Sequence, residues 1–207
     1  SGFWDSLYRP FSYFDDSGNV ISNVCLYTIE AVINGQPKKV AQISGVGTLP
    51  EYRRNGLNRS LTRKALEWAE DFACFVFLFS DEEAIPYYKR LGFQEIHEYV
   101  ECVNPPEITR PTALARKLNP IQNLATLRNY IDKRHPVSQR FGVLNQDLLG
   151  FHSLYKMKNH IFELPELDCL VFATLEAQTL KVFDVVAREI PRFSEIYPYL
   201  WNPQIQT

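Results

Sequence analysis

The stretch from Gly45 to Asn58 (Gly-Val-Gly-Thr-Leu-Pro-Glu-Tyr-Arg-Arg-Asn-Gly-Leu-Asn) carries the plainest chemical message in the chain. An apolar, strand-like run enters a loop with two arginines and a glycine, and the loop runs straight into a helical pattern. The first backbone N–H groups of such a helix lack an internal partner and point at the loop. The helix dipole adds partial positive charge at the same end. Gly56 lets the backbone come close to a bulky anion, and Arg53 and Arg54 supply fixed charge. That combination suits a pyrophosphate.

A second stretch, Ala84-Ile85-Pro86-Tyr87-Tyr88-Lys89-Arg90-Leu91-Gly92-Phe93, puts two tyrosines on a short helix ahead of Leu-Gly-Phe. Together, from about residue 11 to residue 103, the two stretches resemble the GNAT superfamily of N-acetyltransferases. Arg53, Gly56 and Asn58 fall on the three marked positions of that family's pyrophosphate loop, with Asn58 where a small residue is usual. Tyr88 falls where many relatives carry a tyrosine that reaches the thioester sulfur. Asp81 stands where relatives often carry an asparagine that helps hold the pantetheine arm.

The resemblance implies an acetyl-CoA-dependent N-acetyltransferase, with acetyl-CoA as acyl-donor co-substrate and no metal. A primary amine on a small molecule or peptide would attack the thioester directly. The implied binding residues are Val46, Gly47, Thr48, Arg53, Arg54, Asn55, Gly56, Leu57, Asn58 and Asp81. Tyr88 is the implied general acid toward the departing thiolate, and a strand N–H would serve the carbonyl oxygen. Glu30 and Glu51 read as surface charge rather than as a base. The alternative is a noncatalytic acyl-CoA-binding or interaction protein that retains the fold.

The elements that must position these residues follow from periodicity. Phe11–Phe14 reads as a strand, Asp15 to Asn19 as a turn, and Val20–Ile33 as a long strand. Asn34-Gly35 is a strong type I′ hairpin signal, and Lys39–Val46 returns. Leu57, Leu61, Ala65, Leu66, Trp68, Ala69 and Phe72 make one helical stripe. Ala73–Phe79 reads as a strand buried on both faces. Splaying between it and Lys39–Val46 would receive the pantetheine. A second helix runs from Asp81 to Leu91, with Gly92 at its C′ position, and Phe93–Val103 reads as a final strand.

Asn104-Pro105-Pro106 marks the boundary between a domain of residues 1–104 and one of residues 105–207. In the second, Pro120–Arg134 reads as a helix and Asp147–Lys158 fits no single element. A meander follows over His160–Leu164, Asp168–Leu175 and Leu180–Val186, turning at Pro165-Glu166 and Glu176-Ala177-Gln178. A helix over about Pro191–Leu200 closes the chain. The fold class is α+β: a GNAT-like, mainly antiparallel sheet flanked by helices, lacking most of the family's usual first strand and helices. The second, smaller half resembles a degenerate copy, as in two-part bacterial acetyltransferases. It carries Glu189 and no glycine in the corresponding loop, so it is expected to bind no CoA. It is also expected to lay an apolar face against the first half.

Composition bounds these readings. The 207 residues carry 22 Lys+Arg and 24 Asp+Glu, a formal charge of −2, with 45% hydrophobic residues. That balance argues against a disordered chain and against a nucleic-acid binder that relies on a basic field. The longest apolar run, Phe72–Phe79, is strand-sized, so no membrane partner is expected. Cys25, Cys74, Cys102 and Cys169 form no Cys-x-x-Cys pair and read as four buried, reduced thiols of a cytoplasmic protein. His97, His135, His152 and His160 lack ligand spacing to any of them. A homodimer is compatible with this reading.

Overall fold

The computed structural model describes residues 7–97, 99–104, 115–176 and 179–200. They fall into two compact units that meet in sequence between Val100 and Glu101. Both are α+β. The first opens with an antiparallel meander, β1 (Tyr8–Phe14), β2 (Val20–Ile33) and β3 (Gln36–Thr48). The β1–β2 turn is made by Asp15, whose Oδ1 accepts from the N–H groups of Ser17 and Asn19 at 2.9 and 2.8 Å. Asn34 and Gly35 take φ values of 50° and 74°, as a two-residue type I′ turn between Ile33 and Gln36 requires.

Helix α1 (Leu57–Glu70) buries Leu61, Thr62, Ala65 and Ala69. Its apolar members pack on Val24 and Leu26 of β2 and on Ala41 and Ile43 of β3. Each fully buried leucine there stabilises the unit by roughly 1.5–3 kcal/mol. Strand β4 (Val76–Phe77) then pairs parallel to β3, Ala41 with Val76 and Gln42 with Phe77, so the sheet order is β1-β2-β3-β4. A 3-10 turn at Glu82–Ala84 leads into α2 (Ile85–Lys89).

Two expectations for this unit are corrected. The strand expected over Ala73–Phe79 pairs as a strand at only two residues, and Phe75 and Phe79 are exposed. Aromatic apolarity there does not mean burial on both faces. The strand expected over Phe93–Val103 does not form among the described residues, where Ile96, Tyr99 and Val100 are 86–90% exposed. Alternating apolar residues favour a strand only where a ladder partner and a covered face exist.

The second unit contains β5 (Arg116–Lys117), α3 (Leu124–Lys133), β6 (Phe141–Val143), α4 (Gln146–Leu154), β7 (Ile161–Leu164), β8 (Cys169–Glu176), β9 (Thr179–Ala187) and α5 (Phe193–Leu200). Strands β5, β7, β8 and β9 form an antiparallel sheet in that order. The second meander is where the periodicity places it, although Ala177 and Gln178 of its last turn lie outside the described residues. Helix α3 starts later than expected because Asn119 Oδ1 accepts from Ile121 and Gln122 and holds a turn in front of it. The unassigned stretch after Asp147 is mostly helix, capped by Asn145 Oδ1 on the N–H of Leu148 at 2.8 Å.

One face of β8, with Cys169, Val171 and Ala173, packs on Ile196, Tyr199 and Leu200 of α5. The other, with Leu170 and Phe172, packs on Leu127 and Ile131 of α3. Both faces of that strand are therefore covered within the unit. The thiols also divide. Cys25 and Cys169 are buried, whereas Cys74 and Cys102 are exposed, because the strands expected to bury those two are short or absent. No helix among the described residues is long and apolar enough to cross a membrane.

A β-bulge at Phe183 turns Asp184 toward the end of α3, where Arg134 lies with its Nη1 at 3.5 Å from Asp184 Oδ2. Arg134 Nη2 donates to Val143 O at 2.7 Å, while its buried Nε has no partner among the described residues. Burial raises the Asp184 carboxyl pKa and lowers that of Arg134, each partly offset by the other's charge. Removing one partner leaves a charge stranded away from water, whereas replacing both with apolar residues does not. Asp184→Leu alone should cost about 3 kcal/mol in thermal or urea unfolding. Arg134→Met/Asp184→Leu should recover most of that loss. A double variant no more stable than the single one would contradict this account.

Candidate active site

The site begins where the pairing of β3 is interrupted. Cys25 pairs with Ser44 and Asn23 with Gly47, so Val24 alone faces both Gly45 and Val46. This is a β-bulge, and Gly45 takes it at φ 54°. A Cβ at Gly45 would lie 2.8 Å from the Tyr8 hydroxyl and 3.3 Å from Cys25 Sγ. Asn23 Nδ2 pins the bulge by donating to Gly45 O at 2.8 Å. Beyond it, Gly45, Val46 and Gly47 are exposed. On the other side, β3 and β4 pair only as far as Gln42 and Phe77 and then diverge. The result is a wedge between two parallel strands.

The loop after β3 orders itself. Arg53 Nε donates to Thr48 O at 3.1 Å, and Asn55 Nδ2 donates to Tyr52 O at 3.3 Å. Arg54 takes φ 66° despite its side chain, at a cost of about 1–2 kcal/mol. Gly56 takes φ 75° as the N-cap of α1, and no side chain caps that helix. The first N–H groups of α1 are therefore available to a ligand.

These features border one cavity of about 1090 Å³. Its lining includes ten of the eleven residues singled out in the sequence: Val46, Gly47, Thr48, Arg53, Arg54, Gly56, Leu57, Asn58, Asp81 and Tyr88. Asn55 is not among them. Arg59 and Arg90 add positive charge to the lining, against Asp81 and Glu83. Glu30 and Glu51 are exposed and lie outside the lining. Among the described residues, no group of three or more His, Cys, Asp or Glu side chains could hold a metal ion.

On the wall opposite the loop, Tyr88 is 8% exposed, with its ring edge-on to Tyr87 at 5.0 Å and to Phe93 at 5.8 Å. Burial, and secondarily Tyr87, raises its pKa above the ordinary tyrosine value, so it keeps its proton at neutral pH. Tyr87 donates to Asn58 Oδ1 at 2.7 Å and lies 3.2 Å from Thr62 Oγ1. Thr62, fully buried, donates to Asn58 O at 2.9 Å, and Asn58 Nδ2 donates to Asn23 O at 3.4 Å. Sequence reasoning missed Asn23, Thr62 and Tyr87. The Asn58–Thr62 spacing of four residues, one helical turn, is the signal that could have linked two of them.

The bulge supplies a direct check on this geometry. Gly45→Ala should destabilise the fold by about 2 kcal/mol, combining an unfavourable φ with the contact to Tyr8. A Tm equal to the parent's in a melting experiment would show that the bulge is not needed.

The sequence model of the acetyltransferase (GNAT) domain matches residues 8–96. The aminoglycoside N(6′)-acetyltransferase type 1 of Acinetobacter baumannii is 34% identical over 73 residues, 33% of this chain and 50% of that protein. The chain thus spans about half the length of this curated relative. Among solved structures, an acetyltransferase of Trypanosoma brucei aligns at 22% identity and TM-score 0.42, over 48% of this chain and 70% of that one. Glucosamine-6-phosphate N-acetyltransferase of Arabidopsis thaliana aligns at 11% identity and TM-score 0.42, over 47% and 67%. With its strand, bulge, arginine loop and helix in the order described, the segment of residues 8–96 belongs to the GNAT superfamily of acetyltransferase domains.

Proposed function

We propose that the first unit is an acetyl-CoA-dependent N-acetyltransferase acting on a primary amine of a small molecule or peptide. The observation that carries this reading is that one cavity joins the uncapped, arginine-flanked end of α1 to Tyr88 across the open wedge. The residues fit acetyl-CoA: its pyrophosphate needs donors and positive charge, and its pantetheine arm needs an unpaired strand edge. Acetyl-CoA supplies an activated thioester carbonyl. The N–H groups at the start of α1, with Arg53 and Arg54, hold the pyrophosphate. Val46 and Gly47 are exposed and lie where a peptide-like arm can take ladder hydrogen bonds. Arg53 has a second duty, since its Nε closes on Thr48 O and fixes the loop's shape.

Tyr88 has the protonation state a donor needs, and it protonates the departing thiolate. Exposed water-facing carboxylates are poor bases toward an ammonium, which favours an amine that arrives deprotonated or loses its proton through water. The second unit takes no part in CoA binding. At the start of α5 the Arg192 N–H is already taken by Glu195 Oε2 at 2.7 Å, and Glu189 adds repulsive charge. Thiol release from acetyl-CoA over a panel of amines tests the activity. Saturable binding without turnover on any amine would instead favour a noncatalytic acyl-CoA-binding protein.

Two substitutions separate the roles. Among the described residues a Cβ at Gly56 meets nothing within 4 Å, which leaves the space beside it for a ligand. Gly56→Val should weaken acetyl-CoA binding about tenfold or more, roughly 1.4 kcal/mol, with only part of that from backbone strain. An unchanged Kd in the folded variant would move the pyrophosphate elsewhere.

Tyr88→Phe should lower kcat by about 10²-fold or more while leaving the Kd for acetyl-CoA near the parent's. Because its pKa is raised, Tyr88 remains protonated until the pH passes above the ordinary tyrosine value of about 10. The alkaline fall in kcat due to Tyr88 should therefore lie above pH 10 and vanish in Tyr88→Phe. Parental turnover in that variant would make Tyr88 a packing residue.

A further inference from the structure

We propose that Asn58, acting through Tyr87, is the positioning residue that holds the Tyr88 ring in the wedge. The proposal deepens the reading of Tyr88 as proton donor and rests on it. Among the described residues the Tyr88 hydroxyl has no hydrogen-bond partner, so its aim is set by its ring contacts with Tyr87 and Phe93. Helix α2 is only five residues long and cannot hold its own shape without tertiary ties. Its shortest tie to α1 is the Tyr87 hydroxyl on Asn58 Oδ1 at 2.7 Å, beside the longer approach to Thr62 Oγ1 at 3.2 Å, while Lys89 pairs with Glu95 beyond the helix. Asn58 is itself held from two sides, by its Nδ2 on Asn23 O of β2 and by the buried Thr62 hydroxyl on its own carbonyl.

The line of contact therefore runs from β2 through Asn58 and Tyr87 to Tyr88. It passes through the first turn of α1, the turn that faces the anion site. The small residue usual at position 58 would leave the Tyr87 hydroxyl without this acceptor and α2 without this anchor. The asparagine that departs from the family pattern thereby gains a function: it links the cradle for the cofactor's phosphates to the orientation of the acid.

The test uses the full chain with 3-fluorotyrosine at position 88, observed by 19F NMR, with Tyr87→Phe and Asn58→Ala as variants. Tyr87→Phe removes a single oxygen and keeps the ring, so the fold should persist, and Asn58→Ala gives an independent second cut. The parent should show one sharp resonance. Each variant should broaden, split or move it, and the double variant should do little more than either single one, because the two act along one path. In turnover, Tyr87→Phe should lower kcat about tenfold with the KM for acetyl-CoA within about twofold, and should add nothing in a Tyr88→Phe background. A Tyr88 resonance unmoved in both folded variants overturns the proposal, as does a full additional loss of kcat in the Tyr88→Phe background. If no amine is turned over, the transferase reading fails, and the 19F result alone still decides the positioning.

Discussion

Everything in the cavity of the first unit follows from the bulge in β3 and from its parting from β4. Along most of its length β3 is an ordinary strand, paired with β2 from Gln36 to Ser44 and again at Gly47 and Thr48, and with β4 at two residues. At Gly45 the bulge shifts the register, and after Phe77 the β4 partner is gone. Leaving ladder groups unpaired costs about 1–3 kcal/mol each when they are buried. Here the segment Gly45–Gly47 is exposed, so water or a ligand can take the groups that β2 and Asn23 do not. The same divergence opens the wedge, brings Ser80 and Asp81 to its far wall, and delivers the chain to the arginine loop. Asn23 is the pin: one side-chain nitrogen holds the bulge, and its backbone oxygen receives Asn58.

Charge and burial divide the labour within the site. The loop arginines are exposed, so each contributes at most about 1 kcal/mol to binding an anion in water, and salt screens that contribution within about 10 Å. Their value lies in number and in closeness to a helix end that adds its own partial charge. The groups around Tyr88 work the other way. They are few, neutral and half-buried or buried, and they fix geometry rather than field. Arg134 and Asp184 in the second unit show what burial does to charge when no ligand is involved: both are driven toward neutrality, and each depends on the other.

Local chemistry was legible in the sequence where a single residue type had a single conformational use. Asn34-Gly35 formed its hairpin, Gly56 took the left-handed N-cap, and the stripe from Leu57 to Ala69 buried the face it predicted. Nearly every residue marked for the site lines one cavity, because a strand, loop and helix contiguous in sequence must also be contiguous in space. The failures share a different cause. Phe93–Val103 and the ends of Ala73–Phe79 have strand-like composition, yet strand formation requires a partner edge that no local pattern specifies. The exposure of Cys74 and Cys102 follows from the same error. Asn58 stands where the resemblance leads one to expect a small residue, and its amide is engaged with Tyr87 and Asn23, residues 29 and 35 positions away. Contacts at that distance have no periodicity to betray them.

The most direct test of the central claim is isothermal titration of acetyl-CoA into the whole chain at two salt concentrations. The account predicts saturable binding at one molecule per chain, weakened as salt rises because arginines and a helix end hold the pyrophosphate. Absence of saturable binding at low salt, or two equivalent sites per chain, would contradict it.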